Sequence, residues 1–363
     1  MNPPSDSALH YPHGDTLPEP GTTLEVAPGV RWLRMPLPFA LNHINLWLLR
    51  DWEDGPEGRR EGWTIVDCGI GNDSTRALWE RLFATELQGL PVLRVVVTHM
   101  HPDHIGLAHW LTERWTTPGR ECRLWVSATD WNVARLLSGS NHGLGGAGPA
   151  DFFARHGLTD PDKQAQLRAR VSYYSDLVPS VPGKYRRLMD GMVLRIAGRD
   201  WHCIAGYGHA PEHIALHCPS LSTLISGDMV LPRISTNVSV IDLEPEGNPL
   251  PMYLASIASM RRLPEGTLVL PSHGKPFTGL HTRIAQLAAH HGERYAEVLQ
   301  ACAERPHSAA ELLDLLFKRP LDLHQTTFAM GEAVAHLHAL ESDGRLRAEA
   351  RGADGVQRFS TVG

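Results

Sequence analysis

The chain has 363 residues, 42% hydrophobic and 20% charged, enough to bury a large core and carry an appended module. Its formal net charge of −6 excludes the global basic field of a general nucleic-acid binder. The five cysteines, Cys68, Cys122, Cys203, Cys218 and Cys302, form no Cys-x-x-Cys pair, which argues against a disulfide framework or a cysteine zinc site.

Residues 1–22, rich in Pro, Asp and Ser, are expected to form a flexible arm. They lack the basic and apolar regions of a secretion signal, and no run of about 18 apolar residues follows. A reducing cytoplasm is the expected compartment, with no membrane partner. Strands are expected at 30–38, 44–51 and 63–69, with the charged segment 51–62 as a turn. A helix over 74–87, a buried strand 91–99, a helix over 106–115 and a strand–helix unit over 122–137 follow. The glycine-rich start and short helical patterns of 139–190 read as an inserted lid. Strands resume at 192–206, 214–219, 222–228 and 267–274, with a helix over 252–264. From 281 to 363 the order helix, helix, helix, hairpin is that of a winged-helix module, so the hydrolase-sized domain is placed at 23–280.

The run VVVTHMHPDHIG (95–106) ends a buried strand with His99, His101, Asp103 and His104. Four groups that suit zinc or a related divalent metal within six positions can serve two adjacent ions. Further candidates sit at later strand ends: His209 and His213 in GYGHAPEH, Asp228 in ISGD and His273 in LPSHG.

This pattern resembles the metallo-β-lactamase-fold hydrolases over roughly residues 25–280. The resemblance rests on His99-Met-His101-Pro-Asp103-His104, Gly208-His209, Gly227-Asp228 and Ser272-His273-Gly274. It implies an α/β four-layer αββα sandwich with a helical insertion and the winged-helix-like tail. It also implies two divalent metal ions, zinc first and iron or manganese as alternatives. His99, His101 and His209 would bind one ion and Asp103, His104 and His273 the other. Asp228 would bridge them, and Asp103 would in addition hold a metal-bridging hydroxide that attacks the substrate. Asp67 in VDCG matches a family aspartate and is read equally as an orienter of a ligand histidine or as a turn cap. His213 is read as a supporting or packing histidine.

The resemblance leaves the substrate open. An ester, thioester or lactone of a small molecule is preferred. The alternatives are a ribonuclease-like phosphodiesterase and a metal-binding regulatory protein without catalysis. The complete ligand set argues against the last. The tail, with 9 Lys and Arg against 11 Asp and Glu over 280–363, argues against nucleic acid and fits packing or a homodimer contact. In the lid, Phe152, Phe153, Tyr173, Tyr174 and Tyr185 are expected to wall the cleft, with Lys184 gripping an anionic part of the substrate.

Overall fold

The computed structural model describes residues 9–55, 58–139 and 144–362. Seven strands form the first sheet in sequence order: β1 (Leu24–Ala27), β2 (Val30–Pro36), β3 (His43–Gly55), β4 (Gly58–Val66), β5 (Val92–Val96), β6 (Arg123–Ser127) and β7 (Tyr185–Leu188). The second sheet holds β8 (Val193–Ile196), β9 (Arg199–Gly206), β10 (His213–Cys218), β11 (Thr223–Gly227) and β12 (Leu268–Pro271), in the order β12-β11-β10-β9-β8.

Side-chain alternation assigns each face of these strands to a core. Trp32, Trp47, Leu49, Val96, Trp201, Ile214 and Ile225 fill the space between the sheets. Leu33, Leu46, Leu48, Ile65 and Val95 point the other way. They pack under α1 (Asp73–Thr85), α3 (Ala108–Trp115) and α4 (Ala128–Ser138), which contribute Trp79, Leu111 and Ala134 to the same core. Across the molecule, Ala215, Leu224 and Val269 of the second sheet pack under α8 (Pro249–Ser259), α9 (Leu280–Glu304) and α11 (Leu323–Ser342). The result is the expected αββα layering.

Several sequence expectations are corrected. The charged segment 51–62 is not a bare turn. β3 and β4 continue through it as a hairpin, with Glu53 opposite Arg60 and Asp54 opposite Arg59, so opposite charges face each other across the ladder. The strand expected over 192–206 breaks at Ala197 and Gly198, both with positive φ, into the β8–β9 hairpin. Within the arm, residues 9–22 are docked. Leu9 is buried, His10 bridges to Thr278, and Lys275 pairs with Asp15 at 2.6 Å. Residues 1–8 lie outside the described residues, as do 140–143 of the glycine-rich loop.

The insertion forms α5 (Ala147–Arg155), α6 (Pro161–Ala169) and α7 (Tyr173–Leu177) before joining the first sheet as β7. The tail consists of α9, the short α10 (Leu313–Leu316), α11, and a ladder of β13 (Leu346–Ala348) with β14 (Phe359–Thr361). Asp322 caps α11 in a capping box with Gln325. Among the described residues, no helix is long and apolar enough to cross a membrane.

Candidate metal centre

Strand direction brings the candidate ligands to one rim. β4 and β5 are parallel, as are β11 and β12, and the chain leaves each at its carboxyl end. β5 runs on through Thr98 to His99. The short helix α2 (Pro102–Ile105) begins immediately after His101 and holds Asp103 and His104 in its single turn. β11 ends at Gly227 and delivers Asp228; β12 ends at Pro271 and delivers His273. His209 sits in the connection between β9 and β10.

The seven residues converge as the spacing and resemblance imply. His99 Nε2 lies 2.9 Å from His101 Nδ1 and 3.2 Å from His209 Nε2, and the last two nitrogens are 3.1 Å apart. Opposite them, Asp103 Oδ2 is 3.4 Å from His273 Nε2 and 3.7 Å from His104 Nε2. Asp228 lies between the groups. Its Oδ2 is 3.4 Å from His209 Nε2 and 3.7 Å from His104 Nε2, and its Oδ1 is 3.5 Å from His273 Nε2. His104 Nε2 and Asp228 Oδ1 are buried without a hydrogen-bond partner. Three imidazole nitrogens aimed at one point, beside orphaned buried donor atoms, fit divalent cations better than any internal hydrogen-bond scheme.

Three of the histidines are held from behind. Asp67, buried with a positive φ, accepts the Thr98 N–H at 2.8 Å and the His104 Nδ1–H at 2.9 Å, leaving His104 Nε2 aimed inward. His209 Nδ1–H donates to Asn237 O at 2.7 Å and His273 Nδ1–H to His43 O at 2.8 Å. His213 is outside both ligand groups. Its Nε2 accepts the Asp228 N–H at 3.2 Å. Gly227 is required for that contact, because a Cβ there would lie 2.1 Å from His213 Nε2 and φ is +53°.

Sequence reasoning missed the bracing residues. Asp130 is fully buried and accepts the Met100 N–H at 2.8 Å, the Glu212 N–H at 2.7 Å and the Ser127 hydroxyl at 2.9 Å. It thereby joins the loop of His99 and His101 to the loop of His209 and His213. Asn45 in β3 donates to Pro271 O and Gly274 O, each at 2.8 Å, and so grips both sides of His273. Only Asp130 had a local signal, as the acidic residue three positions after the N-cap Ser127.

The electrostatics divide the site. Burial, reinforced by neighbouring imidazoles, holds His99 well below its ordinary pKa and His101 at about 3, so both are neutral. Burial opposes charge on Asp103, but His104 and His273 outweigh it and hold the carboxyl at about 2. His104 and His273 are desolvated yet pushed up, His104 chiefly by Asp103 and Asp67, and His273 to about 10 chiefly by Asp228. The carboxylates thus draw positive charge to that half of the rim, and cations would take the place of those protons.

The lid residues separate into two groups. Phe152 and Phe153 are buried in the core shared with α9 and α11, so they present no wall to a ligand. Tyr185 opens β7 opposite Leu124, the amino end of the parallel β6, and stacks on Trp131. This is the end of the sheet away from the metal rim, and exposed Lys184 precedes it there. Those four expectations are therefore corrected: Phe152 and Phe153 bury in an apolar core, and Lys184 and Tyr185 lie at the amino end of the β6–β7 ladder. Tyr174 is also buried, but its hydroxyl donates to Met100 O at 2.5 Å and braces the metal loop. Tyr173 is at the rim. Its hydroxyl lies 3.2 Å from His324 Nδ1, and the Asp103 charge acts on both side chains. Arg170 stacks 4.1 Å from the Tyr173 ring, and Phe39 stacks on His324 at 4.7 Å. His324, from α11, was not singled out in the sequence.

Comparison with known proteins agrees with this geometry. Residues 43–273 match the metallo-beta-lactamase superfamily, and residues 295–362 match the metallo-beta-lactamase-like C-terminal domain. A crystal structure of a beta-lactamase domain protein from Burkholderia ambifaria is 56% identical with a TM-score of 0.91, covering 98% of this chain and 99% of that one. The probable metallo-hydrolase YqjP of Bacillus subtilis is 24% identical over 323 residues, 86% of this chain and 92% of that protein. The acyl-coenzyme A thioesterase MBLAC2 of Gallus gallus is 26% identical over 272 residues, 72% of this chain and 83% of that protein. With the family match running from β3 through β12 and over every rim residue, the chain belongs to the metallo-beta-lactamase superfamily, among its metallo-hydrolases.

Proposed function

We propose that this protein is a binuclear metal-dependent hydrolase of a small acyl substrate, a thioester, ester or lactone, with zinc as the first candidate metal. The observation that carries the reading is the pair of three-residue groups, His99–His101–His209 and Asp103–His104–His273, with Asp228 between them. Those two groups would hold one ion each, with Asp228 shared. The ions would supply Lewis acidity toward the scissile carbonyl and bring a water toward ionisation near neutral pH.

The chain's own residues supply the rest. Asp103, kept ionised by His104 and His273, offers an acceptor for a proton of the attacking water. Asp67 and Asn237 fix the tautomers of His104 and His209. Tyr173, whose hydroxyl burial pushes up to about 12, stays protonated and can donate a hydrogen bond at the rim. Phe39 and His324 give a flat wall for an apolar chain, while Arg170 beside them suits a carboxylate or phosphate on the leaving group. An anionic acyl-thioester combines those features, and the thioesterase relative supports that class.

The test is metal analysis followed by a panel of acyl-thioesters, aryl esters, lactones and model phosphodiesters. We expect about two equivalents of metal in the rim site and metal-dependent acyl hydrolysis that Asp228→Ala abolishes. A phosphodiester turned over with kcat/KM tenfold above every acyl substrate would overturn the reading.

A further inference from the structure

A second cluster of metal-ligand side chains lies outside the rim, between α9 and α11. His291 comes from α9, while Glu332 and His336 lie four residues apart on one face of α11. All three are buried, and one ligand atom from each falls within 4.8 Å of the others. Within the chain itself, the two histidines leave one ring nitrogen without a partner. His336 Nδ1–H donates to Glu332 O at 2.8 Å, which leaves the Nε2 lone pair pointing at His291 Nδ1, 3.3 Å away. If His291 carries its proton on Nδ1, its Nε2 is a bare acceptor buried without a partner. If the proton is on Nε2, two lone pairs face each other and the buried N–H has nothing to donate to. Either tautomer leaves an uncompensated polar atom buried between the two helices.

The surroundings favour a cation in that gap. Burial drives His291 to about 2 and His336 to about 4, so both are neutral imidazoles ready to ligate. Glu332 is buried with the Asn237 side chain as a hydrogen-bond donor. The charge of Arg294 acts on all three side chains, but its guanidinium is paired with Glu297 at 2.7 Å and donates to Leu316 O at 3.3 Å. Two imidazoles and one carboxylate are a donor set suited to zinc and neighbouring divalent ions.

We propose that His291, Glu332 and His336 hold a single divalent transition-metal ion, separate from the rim, that ties α11 to α9. The proposal stands whether or not the rim binds two ions.

The experiment uses the full chain, equilibrated with Zn2+ and freed of loose metal, with equivalents measured by elemental analysis. Glu332→Gln and the pair His291→Gln, His336→Gln are each expected to lose about one equivalent relative to wild type. A chain carrying His101→Ala and Asp228→Ala is expected to keep one equivalent and to lose it when His336→Gln is added. Chelation should lower the Tm of the first of these two chains and leave the second unchanged. Equal metal content in wild type and folded Glu332→Gln would overturn the proposal. So would a folded His101→Ala, Asp228→Ala chain with no bound zinc and a chelator-insensitive Tm, a readout that holds even where the glutamine variants fail to fold. If instead His101→Ala and Asp228→Ala remove no metal, the rim assignment fails and this one survives.

Discussion

Replacing Asp130 by alanine should damage the metal rim without touching a ligand. The Asp130 carboxylate accepts the N–H of Met100, which sits between His99 and His101, and the N–H of Glu212, which sits just before His213. Alanine leaves both amides unpaired at a buried site. At about 1–3 kcal/mol per orphaned donor, the fold should lose about 2–6 kcal/mol, toward the lower figure if water enters the space. The two loops also lose their common anchor, and loss of a supporting contact behind metal ligands typically weakens binding about 10–100-fold. Asp130→Asn should fall between wild type and alanine, because its amide oxygen keeps one acceptor while its NH2 opposes the other N–H. Urea unfolding of the metal-free chains gives the stability term, and chelator competition on the loaded chains gives the affinity term. An alanine variant within about 0.5 kcal/mol of wild type with unchanged zinc affinity would refute the bracing role.

The same carboxyl gives a pH prediction. Burial raises Asp130 to about 6 from 3.8, so the folded chain binds more protons than the unfolded chain between those values. That stability is present below pH about 4 and is lost as pH rises through 6. It amounts to about 3 kcal/mol at 1.36 kcal/mol per unit, and Asp130→Asn should not show it when urea midpoints are compared across the range. Gly227→Ala should cost more than about 2 kcal/mol through the clash with His213 Nε2, and His213→Ala should recover part of it in a double-mutant cycle. Arg170→Ala should raise KM for an anionic acyl-thioester at least tenfold with little change in kcat, and leave KM for an uncharged ester unaltered. Ending the chain at residue 280 should give an insoluble product rather than a smaller active hydrolase, checked by solubility and circular dichroism.

The candidate ligands were legible because each follows a strand end closely in a short local signature. A strand-end histidine or aspartate must either meet a partner or a metal or be expelled, and seven of them in register left little freedom. The supporting residues were not legible. Asn237, Asn45 and His43 act through partners 28 to 230 positions away, and in two of them the acting atom is a main-chain carbonyl that carries no residue code. The lid reading failed at Phe152, Phe153 and Tyr185 for a related reason. Composition placed aromatics in an insertion, but only the fold decides whether an aromatic faces a cleft or the underside of a helix. Tyr173 and Tyr174 are adjacent in sequence and divide those two fates, one at the rim and one with its ring in the core.

The domain boundary near residue 280, natural on sequence grounds, does not separate two cores. Leu224 and Val269 of the second sheet, Phe153 of the insertion, and Val334, Leu337 and Leu340 of α11 belong to one continuous apolar cluster. The loop between β11 and α8 is clasped by α11 as well. Val240 N–H donates to Gly331 O at 3.1 Å, and a Cβ at Gly331 would press on Ser239 at 2.6 Å. That loop supplies the Asn237 carbonyl that orients His209, and the same helix places His324 beside Tyr173. The tail therefore reaches the metal rim by two routes, one through the backbone behind a ligand and one through the wall in front of it. The C-terminal domain matched over residues 295–362 thus packs into the same apolar cluster as the second sheet, with α11 holding the loop behind His209 and placing His324 beside Tyr173.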